Sequence, residues 1–139
     1  MTYAVQQDLI DRFGADELAQ LTDRVNGSVI DASVVARALA DADAEIDGYL
    51  AARHALPLSS VPPILLLTGC DIARYRLFGD RTTEEVRSRY DDAVRRLKGI
   101  ATGSVVLPGA AALTPAVGSN TVMQRSPDRR FDSDTLASY

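Results

Sequence analysis

The sequence predicts a mainly α-helical protein: a small bundle of three longer and two short helices, followed by an extended C-terminal arm. Three observations support this prediction. Apolar residues recur every three or four positions through three long stretches, which is the spacing of one helix face. Proline or glycine stands near the ends of those stretches, where helices begin and end. After Gly103 this spacing disappears, and small uncharged residues interrupted by proline and glycine follow.

Two short helices and one long helix open the chain. The short ones are predicted over Gln6–Phe13 and over residues 15–21. The long helix is predicted over residues 32–54, with Asp31 as its N-cap, because a carboxylate there accepts hydrogen bonds from free backbone N–H groups. Gly48 lies inside this helix and costs up to ~1 kcal/mol relative to alanine, which predicts a close approach of another backbone.

Two further long helices follow a proline-marked turn. The first covers residues 62–78 and begins with two prolines, whose missing N–H groups are not needed in a first turn. It is apolar around most of its circumference, which places it at the centre of the domain or between subunits. The second covers residues 82–101, and Thr82 and Glu85 have the spacing of a capping box.

The chain is predicted to divide at Gly103 into a helical domain, residues 1–103, and an extended arm, residues 104–139. Within the arm, residues 105–107 and 121–123 are candidates for short β segments. The arm has no apolar stripe long enough to bury by itself. We therefore expect it to become ordered against a partner rather than within the subunit.

The charge of the chain argues against a protein that wraps duplex DNA. The net charge is −4, and residues 1–103 hold sixteen acidic against twelve basic side chains. Affinity for duplex DNA comes mainly from lysine and arginine side chains that neutralise phosphates. An acidic domain suits instead a surface past which DNA slides without binding, because like charges repel.

Other features predict a protein of a reducing cytosol. Cys70 is the one cysteine, so it cannot form an intramolecular disulfide, and its place in an apolar helix predicts a buried structural thiol. The N-terminus has no basic region followed by a long apolar stretch, so no signal peptide is predicted. The longest apolar run, residues 61–67, is far short of the ~20 residues that a membrane span needs, so no membrane contact is expected.

No catalytic, metal-binding or cofactor-binding site is predicted. His54, the only histidine, stands at a predicted helix end and is interpreted as a capping or packing residue rather than a general base. Four acidic residues occupy every second position along the first long helix. Because each helical residue rotates by about 100°, residues two positions apart point about 200° apart around the helix axis. They are predicted to form a solvated face rather than a metal cluster: Asp41, Asp43, Glu45 and Asp47.

A charged group interrupts the apolar helix and supplies three candidate interface residues. Asp71 and Arg74 are three positions apart and can pair on one helix face, although such a pair is costly there unless it is satisfied. One interpretation is a salt bridge within the domain that sets helix register. The other is that Arg74 or Arg76 reaches a neighbouring subunit, because arginine suits interface ion pairs.

The arm supplies the remaining interface candidates. Arginine and aromatic residues dominate the energetics of protein interfaces, and an extended segment can add to the edge of a neighbour. The candidates in the arm are Arg129, Arg130, Phe131 and Tyr139.

Four ordered blocks of sequence resemble one protein family, the small head–tail adaptor (neck, or connector) proteins of Mu-like bacteriophages and prophages. The blocks are DLIDRFGADELAQLTD from Asp8, VVARALADADAEIDGYLAARHALPL from Val34, CDIARYRLFGD from Cys70 and RYDDAVRRLKGIATG from Arg89. The resemblance covers about residues 5–103, and the closing RFDSDTLASY is also similar to the end of family members.

This resemblance implies a structural virion protein without catalysis or cofactor. It implies a homo-oligomeric ring below the portal protein, with a dodecamer as the candidate size in the virion. The ring would extend the channel for genomic DNA and present a surface to a downstream neck or tail-terminator protein. The implied location is the virion neck, and the bacterial host cytoplasm during assembly.

Two other classes of function remain open. One is a small helical regulatory protein of a mobile element that binds DNA or protein, against which stand the acidic charge and the lack of a recognisable helix-turn-helix. The other is an enzyme, which the lack of nucleotide-binding, phosphate-binding and zinc motifs disfavours.

Overall fold

The computed structural model describes residues 1–113 and confirms the mainly helical fold. This part of the chain contains α1 (Gln6–Phe13), α2 (Ala15–Thr22), α3 (Ala32–Leu50), α4 (Pro63–Phe78) and α5 (Glu84–Thr102), with a 3-10 turn over Gly79–Arg81. Between residues 1 and 113 there is no β-strand, and an isolated antiparallel bridge joins His54 to Ala112.

The apolar helix α4 lies at the centre of the bundle, as its sequence predicts. It packs mainly against α3 and α5 and makes smaller contacts with α1 and α2. Leu65, Cys70, Ile72 and Ala73 are fully buried in it. The helices around it contribute one apolar stripe each, and these stripes close a single core around α4.

Helix α3 begins where predicted and ends earlier. The Asp31 carboxylate accepts a hydrogen bond from the Ser33 N–H at 3.0 Å, which confirms the N-cap. The helix ends at Leu50 instead of His54, because a later segment of the chain binds its end. His54 is buried, its backbone N–H donates to the Leu50 carbonyl, and its Nδ1 lies 3.2 Å from the carbonyl oxygen of Ala111. The interpretation of His54 as a packing residue is confirmed.

The N-cap of α5 is Thr83, so the predicted capping box of Thr82 and Glu85 is wrong by one residue. The Thr83 hydroxyl oxygen accepts a hydrogen bond from the Val86 N–H. Thr82 is not available for this role, because its hydroxyl donates to the carbonyl oxygen of Gly79 at 2.6 Å and closes the preceding turn.

The first residues beyond Gly103 lie against the helices. Leu107 is 2% exposed and belongs to the core, and the Leu113 N–H donates to the carbonyl oxygen of Arg53 at 2.6 Å. Residues 105–107 form no strand. Residues 114–139, with the candidate segment 121–123, lie outside the described residues, so a separate role for the arm stays a prediction that concerns this later part.

The close backbone approach predicted at Gly48 is wrong. Gly48 is exposed, and a Cβ added there would have no neighbour within 4 Å. Gly69 of α4 is instead in side-chain contact, because a Cβ added there would lie 3.5 Å from the Cβ of Ala4 and 3.6 Å from that of Tyr3, which are ordinary van der Waals distances. The N-terminal residues therefore cross the middle of α4 where it has no side chain.

Candidate assembly interface

Arg74 joins three helices to α4. Its Nη2 and Nε atoms lie 2.7 and 3.2 Å from the two carboxylate oxygens of Glu17, and its Nη1 lies 3.7 Å from Glu85. The guanidinium also lies 4.4 Å above the Phe13 ring. The side chain is only 12% exposed. The predicted pair with Asp71 is wrong, because the carboxylate of Glu17 offers a two-point contact that a neighbour on the same helix does not.

Arg76 forms an ion pair with Glu45 of α3 and remains partly exposed to solvent. Its Nη2 lies 2.9 Å from Glu45, whose other carboxylate oxygen accepts a hydrogen bond from the Tyr90 hydroxyl at 2.9 Å. Tyr90 stacks on Tyr75 with ring centroids 4.0 Å apart. Burial, together with the hydrogen bond to Glu45, raises the pKa of Tyr90 to about 12. Since 44% of the Arg76 side chain is exposed, the second interpretation, contact with a neighbour, stays open for this residue.

Three of the four acidic residues of α3 do not form a solvated face. Asp43 accepts a hydrogen bond from the Tyr3 N–H at 3.0 Å, and Asp47 accepts one from the Tyr3 hydroxyl. Glu45 is held between α4 and α5. Burial raises the pKa of both Asp43 and Tyr3. The prediction fails for Asp43 and Asp47 because the N-terminal residues, which carry no helical pattern, cover their side of α3, and for Glu45 because α4 and α5 pack there. It holds for Asp41, which is exposed.

Asp71 is the least satisfied polar side chain of the described bundle. It is 6% exposed, and its Oδ1 has no hydrogen-bond partner within residues 1–113. Burial raises its pKa, and the positive charges of Arg89, Arg96 and Arg12 offset this only in part. Arg96 donates instead to the Thr68 hydroxyl at 2.9 Å. The sequence singled out Asp71, but its surroundings come from three helices.

Cys70 is a buried structural thiol, as predicted. It is fully buried, and burial raises its pKa to about 11, which disfavours the reactive thiolate. In the part of the chain that the structure describes, no group of three His, Cys, Asp or Glu side chains is arranged to hold a metal ion. No helix among residues 1–113 is long and apolar enough to span a lipid bilayer.

A surface groove between α2, α3 and α4 is the feature that sequence reasoning missed. Its apolar floor includes Leu21, Val34 and Leu77. Its charged lining, which we call the cationic groove, consists of Arg24, Arg37, Arg76 and Asp41. Within residues 1–113, neither Arg24 nor Arg37 forms an ion pair. No local spacing could reveal the groove, because its arginines come from three separate segments.

The four candidates in the arm lie outside the described residues. Arg129, Arg130, Phe131 and Tyr139 therefore stay predicted interface residues. The described candidates do not converge on one patch: Asp71 and Arg74 are largely buried within the subunit, while Arg76 reaches the surface at the cationic groove.

Comparison with known proteins gives matches over most of the chain. Residues 3–125 match the family described as Bacteriophage Mu, Gp36. The chain is 38% identical over 105 residues to the Mu-like prophage FluMu protein gp36 of Haemophilus influenzae, covering 76% of this chain and 74% of that protein. It is 39% identical over 117 residues to gene product J of Escherichia phage Mu, covering 84% of this chain and 82% of that protein.

Proposed function

Because this chain belongs to the Bacteriophage Mu Gp36 family, we propose that it is a structural virion protein that joins head to tail. In this proposal several copies form a ring below the portal protein and extend the DNA channel. The lower surface of the ring receives a downstream neck or tail-terminator protein. The single observation that carries the proposal is the family match, which extends over the whole helical bundle and beyond it to residue 125.

The distribution of charge supports a conduit for DNA more than a DNA-binding regulator. Residues 1–103 carry the whole net charge of −4. The basic residues of α5 are partly neutralised along the helix itself: Arg89 lies 3.3 Å from Glu85, and Arg95 lies 2.7 Å from Asp92. Such a surface neutralises few phosphates, so DNA that passes it is not retained.

The internal contacts of the subunit suit a part that enters an assembly as a rigid body. The charged contacts of Arg74 and Glu45 each join helices that are distant in the sequence. These contacts hold the helices of the bundle in fixed positions relative to one another. A ring needs two different surfaces on each subunit, so that one copy's surface meets the other surface of the next copy. In this proposal the arm beyond residue 113 supplies one of these surfaces, and the surface of the helical bundle supplies the other.

A phage or induced prophage that lacks this chain tests the proposal. We expect DNA-filled heads and complete tails to accumulate separately in the lysate, visible by electron microscopy, because only the joint between them is missing. Supplying the chain from a plasmid should restore infectious particles. Normal joined particles without the chain, or a failure to form heads at all, would contradict the proposed place of the protein in the virion.

A further inference from the structure

We propose that the cationic groove receives residues 131–136 of a neighbouring copy of this chain. The inference rests on the proposed ring and assigns its subunit contact. The groove is the acceptor surface on one copy, and the acidic, apolar end of the arm is the donor surface on the next.

The groove offers positive charge above an apolar floor. Arg24 and Arg37 are exposed and form no ion pair within the described part of the chain. Asp41 lines the groove with them, and the Asp31 carboxylate lies near enough to Arg37 for that positive charge to help lower the pKa of Asp31. Arg76 at the same groove is already neutralised by Glu45, 2.9 Å away. The groove therefore offers an acidic ligand two arginines that form no ion pair within residues 1–113, although the net charge of the subunit is negative.

The end of the arm has the complementary composition. Residues 131–136 read FDSDTL, with two carboxylates, two large apolar side chains and no basic residue. In an extended segment, alternate side chains point the same way, so Asp132, Asp134 and Leu136 would share one face. That face would bring two carboxylates to the unpaired arginines and an apolar side chain to the floor of the groove, which includes Leu77.

The proposed ring assigns the segment to a neighbouring copy rather than to its own subunit. The described chain leaves the bundle at Leu113, bonded to Arg53 just past the end of α3, whereas the groove lies beside the first half of that helix. From residue 50 to residue 37 the helix spans about 20 Å, and nineteen extended residues reach about 60 Å, enough to reach the groove of an adjacent copy as well as that of the same subunit. The peptide experiment below separates these two occupants. A donor segment and an acceptor groove on different surfaces form a contact that closes into a ring.

A peptide of residues 131–139 with a fluorescent label tests the contact by anisotropy. The receptor is the full chain carrying Asp132→Lys and Asp134→Lys, so that its own arm does not compete. We expect salt-dependent binding that falls by about tenfold or more when Arg24→Glu and Arg37→Glu are added, because two attractive contacts become repulsive. A peptide with both aspartates changed to lysine should bind this reversed groove better than the original one.

A matched control separates local contact from net charge. Arg87→Glu with Lys98→Glu changes the charge equally on the exposed side of α5 and should leave peptide binding unchanged. Equal binding by the original and reversed grooves, or no binding, would overturn the inference. Binding to the wild-type monomer ten times weaker than to the arm variant would also overturn it, because the segment would then occupy its own groove.

The same variants distinguish failure of the contact from failure of the proposed function. Mixed with portal rings, the chain with a reversed groove should form no ring, and the chain with both groove and arm reversed should recover it. If the reversed groove assembles as the wild type does, the inference is wrong and the proposed function stands. If the wild type itself forms no ring, the proposed function fails regardless of the peptide result.

Discussion

At the scale of single residues, the bundle is held by a few charged side chains that join distant segments. Glu45 connects α3 to Arg76 on α4 and to Tyr90 on α5, and Arg74 connects α4 to Glu17. Apolar packing is not directional, so it alone does not fix the position of one helix along another. These charged contacts do fix it. Asp71 has no comparable partner in the described bundle and destabilises it when charged.

Removing the carboxylate of Glu45 tests the first of these contacts. Glu45→Ala should lower the free energy of unfolding by about 1–2 kcal/mol, since two hydrogen bonds are lost while the half-exposed Arg76 is rehydrated. Urea denaturation measures this. Asp41→Ala is the control, because Asp41 is exposed one turn earlier on the same helix. Equal effects of both variants would show that the position of Glu45 between helices is unimportant.

Asp71 should make stability depend on pH in a characteristic direction. Its pKa is raised in the folded protein above the ordinary value of 3.8, so stability falls as pH rises through the interval between the two values. Asp71→Asn cannot ionise. The difference in Tm, variant minus wild type, should therefore be more positive at pH 7 than at pH 3.5.

Asp31→Asn is the control with the opposite sign. Hydrogen bonds from Ser33 lower the pKa of Asp31, so its contribution is present at neutral pH and lost as the pH falls through the folded value. Its Tm difference should be more negative at pH 7 than at acidic pH. Parallel pH profiles for the two variants would contradict these assignments.

At the scale of elements, the sequence predicted what local spacing determines and missed what distant segments determine. Apolar periodicity gave all five helices, and Asp31 marked the start of α3. The end of α3 was missed because it depends on Ala111, 57 residues after His54. The burial of Asp43 was missed because its hydrogen-bond donor, Tyr3, lies 40 residues earlier in the chain, near the N-terminus.

Two glycine substitutions test the helix geometry in opposite directions. Gly48→Ala should stabilise the protein by up to about 1 kcal/mol, because the site is helical, exposed and free of neighbours. Gly103→Ala should destabilise it by about 1 kcal/mol or more, because this residue ends α5 with φ of +84° and a Cβ would meet the Arg53 guanidinium. Thermal melts measure the change in Tm of each variant. A lower Tm for Gly48→Ala would contradict the finding that a Cβ at this site has no neighbour within 4 Å.

Two truncations test where the folded body ends. A chain ending at residue 113 should melt cooperatively, close to the Tm of the full chain. A chain ending at residue 103 should be less stable, because loss of the buried Leu107 alone is worth about 2–3 kcal/mol. Circular dichroism during heating compares them. Equal Tm values for the two truncated chains would place the boundary back at Gly103, as the sequence first predicted.

At the scale of the whole molecule, the family and the helical fold were within reach of the sequence, whereas the surface was not. The blocks from Asp8 to Gly103 indicated the family that the comparisons show. The cationic groove needs Arg24, Arg37 and Arg76 brought together by folding, so no motif could predict it.

Negative-stain microscopy of portal rings mixed with the purified chain tests the central claim most directly. If the protein is a head–tail adaptor, averaged side views should show a second ring stacked coaxially below the portal, continuing its channel, and an unrelated acidic helical protein should add nothing. Portal rings that stay bare at saturating concentrations of the folded chain, or density that blocks the channel, would contradict the proposed function.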